Sequence, residues 1–379
     1  MEEIYQRSLD LHRLHRGKLE IKSKVALNSR DDLSLAYTPG VAEICRAIAK
    51  DKTQTRELTI KGNTIAVITD GSAILGLGNL GAEAALPVME GKCILFKEFA
   101  GVDAWPICLD TQDEEEIIKT IKYFAPVFGG INLEDISAPR CFRIEERLKQ
   151  ELDIPVMHDD QHGTATVVLA GLINALRVRQ LNKEDAKLVI SGAGAAGIAI
   201  TKLLLNYGFK NIIVCDREGV IYEGREDLNP SKQELSQITN REKITGKLET
   251  VIKGADIFIG VSSAGILKEE LVKTMNERPI VFALANPTPE IMPLEAKSAG
   301  ALVVATGRSD YPNQINNVLV FPGIFRGALD NKVKQITDTM LIRAAENLAG
   351  MIKDPTPDMI LPSPLDKNTA KVVAAAIIV

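Results

Sequence analysis

No stretch of this 379-residue chain approaches the roughly 20 consecutive apolar residues that a membrane-spanning helix needs, and the C-terminal VVAAAIIV is far too short. A membrane is therefore not expected as a partner. The opening MEEIYQRSLDLHRLHRGK carries early acids and no apolar h-region, so neither a signal nor a transit peptide is expected. Cysteine is sparse: Cys45, Cys93, Cys108, Cys141 and Cys215 are scattered, odd in number and without CxxC spacing. That pattern fits reduced thiols in a cytoplasmic protein better than a disulfide framework. Blocks of like charge are missing as well. With 45 basic and 50 acidic residues and a net charge of −5, nothing resembles a nucleic-acid footprint. Internal repeats and low-complexity tracts are also absent.

What remains is the composition of a soluble globular protein, 45% apolar and 25% charged, in a chain too long for one ordinary core. From about residue 187 strand-like and helix-like segments alternate. The strand candidates are 187–191, 211–215, 256–261, 280–285 and 301–306, and 196–208 reads as a helix between the first two. Such β-α-β order predicts a doubly wound parallel sheet. The first half is mixed α/β and less regular, with candidate strands 64–69, 106–110, 130–133 and 154–157 after a mostly helical opening of 50 residues. Segment 163–181 reads as one long helix joining the halves. The expected fold is thus α/β in two domains, 1–162 and 163–379, with the helix-like stretch 333–352 a candidate to pack back on the first.

Two short acidic runs carry the most chemistry. Glu134-Asp135 follows the apolar run 127–133, and Asp159-Asp160 follows the apolar 154–157. Ligands of open α/β sheets bind beyond the carboxyl ends of the strands, so acids placed there converge on one site. Hard oxygen ligands suit Mg²⁺ or Mn²⁺. Each pair taken singly could instead be a solvated turn or a helix N-cap. His158 and His162, spaced i, i+4, allow a rival reading as a zinc-hydrolase helix, although no third ligand is evident.

The second half opens with a nucleotide fingerprint. Gly192, Ala193, Gly194, Ala195, Ala196 and Gly197 form a G-x-G-x-x-G turn between a strand and a helix, where backbone N–H groups can approach a pyrophosphate. Asp216 ends the next strand, where an acid accepts from a ribose 2′-OH, which favours NAD. Arg217 beside it leaves NADP open, since an arginine accommodates the 2′-phosphate. This half therefore reads as a Rossmann domain.

Taken with these sites, the motifs 37-YTPGVA-42, 70-DGSAILGLGNLG-81, 91-GKCILFKEFAGVDAWPICLD-110, 132-NLEDI-136, 158-HDDQHGTA-165, 192-GAGAAG-197, 283-ALANPTPE-290 and 316-NNVLVFPG-323 resemble, in order, those of the malic enzymes in their short, mostly prokaryotic form. The resemblance runs from about residue 15 to the end. It implies conversion of L-malate to pyruvate and CO₂ with reduction of NAD(P)⁺ and a requirement for Mg²⁺ or Mn²⁺, by way of oxaloacetate and enolpyruvate. It places the metal ligands on Glu134, Asp135 and Asp160, the general base on Lys92, its carboxylate partner on Asp159 and the general acid on Tyr37. Asn286 and Asn317 match residues that contact substrate and nicotinamide. A homodimer is implied as well, with the helical opening able to embrace a partner.

A free lysine is protonated at neutral pH, so Lys92 needs a reason to act as a base. The apolar company of Cys93, Ile94, Leu95 and Phe96 suggests desolvation that lowers its pKa, and a metal would lower it further, whereas Asp159 would push the other way and is better read as orienting it. Without the resemblance, a snorkelling lysine is the simpler reading of Lys92, a core or turn aromatic of Tyr37, and loop caps of the two asparagines. Two departures from the family pattern stand out. Ala73 occupies a position where longer members carry a carboxylate-gripping arginine, which leaves Ser72 and the asparagines as candidate anchors of the C4 carboxylate. Val320 stands where the short form is expected to have glycine. The same motifs are compatible with a malolactic-type conversion to lactate on bound NAD, or with a non-catalytic NAD-binding protein.

Overall fold

The computed structural model describes residues 2–378; Met1 and Val379, the outermost residues of the two expected domains, lie outside the described residues. Two sheets organise the chain. The first has Thr64–Thr69 (β1), Asp103–Cys108 (β2), Gly130–Leu133 (β3) and Val156–His158 (β4) in the order β2-β1-β3-β4, all parallel. Every residue of β1 is buried, as expected of a central parallel strand covered on both faces. Strand β2 begins three residues before the expected start and includes Pro106, which an edge strand tolerates because no ladder donor is needed there.

The second sheet contains Lys187–Ser191 (β5), Asn211–Asp216 (β6), Gly219–Val220 (β7), Ile257–Gly260 (β8), Ile280–Ala283 (β9) and Val303–Thr306 (β10), ordered β10-β9-β8-β5-β6-β7. It is parallel except for the short edge strand β7, which pairs antiparallel with β6 through a tight turn.

The long helix runs Asp159–Arg179, so it begins four residues before the expected 163. Asp159 and Asp160 form its first turn rather than preceding it, where carboxylates complement the helix dipole. Of the stretch 333–352, only Asp338–Gly350 is helical, and it packs on the long helix. A different helix, Phe321–Asp330, reaches the first sheet's layer. There Phe96, from the helix Ala82–Ala100, meets Phe321 and Phe325 edge-on with centroids 4.7 and 5.6 Å apart. One core cluster thus runs through Phe96, Met157, Leu169, Ile190 and Phe321. Val320 belongs to it, fully buried with φ −127°, so the position needs an apolar side chain and makes no use of glycine's freedom.

The opening is helical over Glu2–His15, Arg30–Ala36 and Val41–Lys50. These helices stand apart from the core. Ile4, Leu14, Leu35 and Tyr37 are exposed, and neither of the latter two helices buries a residue. The connecting segment is tied down by Lys18, which donates to the Pro87 carbonyl at 2.7 Å, and by Lys24, which pairs with Asp103. No helix among the described residues is long and apolar enough to cross a membrane.

Candidate active site

Strands β3 and β4 are neighbours, with Leu133 opposite His158, so the residues that follow each strand emerge side by side. This register brings Glu134 and Asp135 to Asp159 and Asp160. Carboxylate oxygens of Glu134, Asp135 and Asp160 all lie within 4.8 Å of one another, while Asp159 is outside that group. Asp135 is held in the left-handed region (φ +52°), and its N–H donates to Asp160 Oδ2 at 2.9 Å. Its own Oδ2 is buried and has no hydrogen-bond partner. Three hard oxygen donors with a free buried oxygen among them fit Mg²⁺ or Mn²⁺.

The crowding has an electrostatic signature. Burial first, and then the neighbouring Asp160, push Asp135 up to about 7, and burial likewise raises Glu134 well above the usual carboxylate range. A proton therefore competes with the ion for Asp135 below that pH. Mn²⁺ affinity is expected to fall as pH drops through about 7, by up to about tenfold per unit if one proton is displaced. Titration of the free Mn²⁺ EPR signal at pH 6 and pH 8 checks this, and equal affinities would contradict it.

Lys92 projects from the helix Ala82–Ala100 into this cluster. It ion-pairs with Asp159, lies 3.1 Å from Glu134 Oε1 and sits 4.3 Å from the Phe321 ring centroid. The expectation that apolar neighbours lower its pKa is corrected here. Cys93 and Phe96 point into the core, whereas the Lys92 ammonium meets three acids. Burial is the largest single influence and pulls it down, but Asp159, Glu134 and Asp160 together outweigh it and hold Lys92 above its ordinary value.

Asp159 is fully buried and is further oriented by Asn317, whose Nδ2 donates to Oδ2 at 3.1 Å while its Oδ1 accepts from Thr164. The other oxygen of Asp159 lies where a Cβ on Gly163 would stand only 1.8 Å away. Glycine is the residue that leaves room for it.

In the second sheet the glycine-rich turn has the expected form. Gly192 has φ +119°, and a Cβ on Gly197 would fall 1.9 Å from the Gly192 carbonyl oxygen, so strand and helix approach too closely for any side chain. Ala193 lies in the turn, Gly194 caps the helix, and Ala195 and Ala196 begin it. Asp216 ends β6 but is not free. Arg225 lies 2.9 Å and Lys232 2.6 Å from its oxygens, and the N–H groups of Glu218 and Gly219 also donate to it. Burial raises its pKa, yet Arg225 and Lys232 hold it below the usual value. With its charge offset by two cations, Asp216 repels a 2′-phosphate less than a bare carboxylate would.

A family model for the malic enzyme NAD binding domain matches residues 161–379, and one for the malic enzyme N-terminal domain matches residues 16–117 and 111–149. The chain belongs to the malic enzyme family. It is 56% identical to a bifunctional malic/malolactic enzyme of Bacillus subtilis, over 99% of this chain and 92% of that protein. It is 58% identical to an NAD-dependent malic enzyme of Geobacillus stearothermophilus, over 96% of this chain and 76% of the relative. The crystal structure of an NAD-dependent malic enzyme from Thermotoga maritima superposes with a TM-score of 0.95 at 50% identity, covering 97% of this chain and 98% of that one.

Not every residue matched to the malic enzymes comes to the site within one chain. Tyr37 caps the end of the helix Arg30–Ala36 and is 68% exposed, and no hydrogen bond or ring contact among the described residues joins its side chain to Lys92 or the acids. Asn286 follows β9 and is exposed. Its carbonyl oxygen abuts Gly76 of the loop after β1, and its side chain abuts Gly307 after β10. Ser72 is spoken for, donating to Asp70 and accepting from the Ser137 N–H at 2.9 Å. The histidines do not form a zinc pair. His158 is fully buried with neither ring nitrogen hydrogen-bonded, while His162 turns to Glu145 at 3.0 Å.

Three contributors were missed in the sequence. Phe321 carries the lysine's aromatic wall, and Asn132, inside β3, donates to Glu134 Oε2 at 3.0 Å. Glu145 is the third, and it left a trace. The helix Arg140–Glu151 buries Cys141, Ile144, Glu145 and Leu148, so an acid stands in an apolar stripe of helical period.

Proposed function

We propose that this chain catalyses the oxidative decarboxylation of L-malate to pyruvate and CO₂ with reduction of NAD⁺ or NADP⁺, dependent on Mg²⁺ or Mn²⁺. The observation that carries the reading is the ion pair of Lys92 with Asp159 set against the oxygen cluster of Glu134, Asp135 and Asp160. Residues 1–162 would bind substrate and metal, and residues 163–379 the cofactor.

Glu134, Asp135 and Asp160 would hold the divalent cation, which supplies Lewis-acid polarisation of the substrate's C2 oxygen and offsets the surrounding negative charge. Gly192 to Gly197 would hold the nicotinamide cofactor, whose chemistry would supply the hydride acceptor for C2. With a cation offsetting the acids that otherwise keep it protonated, Lys92 would take the C2 hydroxyl proton, and Asp159, fixed by Asn317, aims its Nζ. Oxaloacetate then loses CO₂ from C4 and the resulting enolpyruvate is protonated at C3, the role matched to Tyr37. Asn286, beside the loop after β1, would contact substrate and nicotinamide, the role matched to it.

In its own chain Tyr37 is exposed and, among the described residues, has no hydrogen bond to Lys92 or the acids. The exposed apolar side chains of the opening helices, Ile4, Leu14, Leu35 and Tyr37 among them, support a homodimer in which this arm lies on a second copy and delivers Tyr37 there. Cytoplasmic placement accords with the reduced cysteines. If Tyr37 acts in trans, mixing and reassembling inactive Tyr37→Phe and Lys92→Ala chains restores about a quarter of native activity, from the one complete site in each mixed dimer. No recovery in dimers shown to have exchanged would sink the arrangement.

A second reading comes from the bifunctional malic/malolactic relative. In that reaction pyruvate would stay at the site, take back the hydride that malate gave up and a proton from Lys92, and leave as lactate. Quantifying pyruvate and lactate after incubation with L-malate, Mn²⁺ and either cofactor tests both. Pyruvate in step with reduced cofactor supports the main reading, and lactate without net reduction supports the second.

A further inference from the structure

Glu145 is a buried carboxylate that the proposed reaction does not use. It lies on the helix Arg140–Glu151, whose buried stripe it shares with Ile144 and Leu148, yet it is surrounded by donors. Its Oε1 accepts the His158 backbone N–H at 3.0 Å, the Gln161 side-chain amide donates to Oε2 at 3.2 Å, and His162 Nε2 lies 3.0 Å from the carboxylate. Lys149, one turn on, completes the set at 2.7 Å. Burial alone would raise the Glu145 pKa, but the charges and hydrogen bonds of His162 and Lys149 outweigh it and keep the group an anion.

Three of these contacts fall on residues 158, 161 and 162, which bracket Asp159 and Asp160. Backbone at a strand-to-helix junction has unpaired N–H groups that need an acceptor, and here the acceptor comes from another helix. The first turn of the long helix is thereby clamped from behind while its two acids face the metal cluster and Lys92. Neighbours that orient ligands in this way set the affinity of metal sites.

We propose that Glu145 is a positioning residue for the divalent cation: by holding the His158 N–H and the Gln161 and His162 side chains, it fixes the turn on which Asp159 and Asp160 stand. This rests on the reading of Glu134, Asp135 and Asp160 as metal ligands. Glu145→Gln keeps the shape but turns an NH₂ toward neighbouring donors, so the set can no longer be satisfied together. Lys149→Met removes a charge and leaves the contacts of Glu145 to residues 158, 161 and 162 in place.

The test is Mn²⁺ binding followed by the free-ion EPR signal, with NADH fluorescence as a check on the folded second domain. Native protein binds Mn²⁺, E145Q is expected to bind about 10–100-fold more weakly, and K149M is expected to stay within about threefold of native. NADH affinity is expected to be unchanged in all three. If E145Q does not fold, Glu145→Asp, which withdraws the acceptor by one methylene, is expected to show a loss of about tenfold. Native-like Mn²⁺ affinity in folded E145Q or E145D overturns the proposal, as does an equal loss in K149M, which would mean that charge balance and not the clamp is at work. Failure of the native protein to bind Mn²⁺ overturns the metal-site reading itself and is thereby distinguished.

Discussion

Replacing Lys92 by alanine is expected to lower kcat for malate oxidation by about 10²–10⁴-fold, the usual contribution of a positioned acid or base, while NADH affinity stays within about threefold. The separation follows from where the side chain stands. Lys92 touches Asp159, Glu134 and the Phe321 ring and has no contact with the glycine-rich turn. It is only 13% exposed, so the snorkelling reading, with the head in water, does not describe it. Its removal leaves three acids without their ammonium, which costs stability unless a divalent cation is bound; the assay should therefore be run at saturating Mn²⁺ and well below the variant's Tm. Turnover within about tenfold of native would remove Lys92 from the proton transfer.

Loss of Asp160 should act on a different quantity. Asp160→Ala removes one of three clustered carboxylates and also the acceptor of the Asp135 N–H, which holds Asp135 in its left-handed conformation. The Mn²⁺ concentration for half-maximal activity is expected to rise by more than about 100-fold, beyond what loss of an outer neighbour costs. Titrating stripped protein with Mn²⁺ at fixed malate and cofactor reads this directly. An unchanged metal response would mean that the ion sits elsewhere.

Much of this site was legible because strand ends and glycine turns leave local traces. The acid runs after β3 and β4 declared themselves by position, and the parallel register of Leu133 with His158 turns that into proximity. The spacing of Gly192, Gly194 and Gly197 likewise reflects contacts, such as Gly197 against the Gly192 carbonyl, that any side chain would break. Nearby composition misled where the neighbours were distant in sequence. Lys92 reads as a lysine in apolar surroundings, but Cys93 and Phe96 leave by another face of the helix, and the ammonium meets residues 42 and 67 positions away. Asp216 reads as a free ribose acceptor because the cations that engage it, Arg225 and Lys232, come from beyond β7. The long helix starts earlier than 163 because the two acids, which read as strand-end ligands or an N-cap, form its first turn, where carboxylates are favoured by the helix dipole. Tyr37 shows the limit of reading one chain, for its motif is intact while its place within that chain is solvent.

The most direct measurement is the initial rate of nicotinamide reduction, followed by absorbance, with L-malate and the metal-stripped protein as Mn²⁺ is added back. A rate near zero without metal, rising to saturation with Mn²⁺ and with NAD⁺ or NADP⁺ as acceptor, is the expected result. No reduction with either cofactor, or a full rate in the stripped protein, would contradict the assignment of the carboxylate cluster and Lys92 to this reaction.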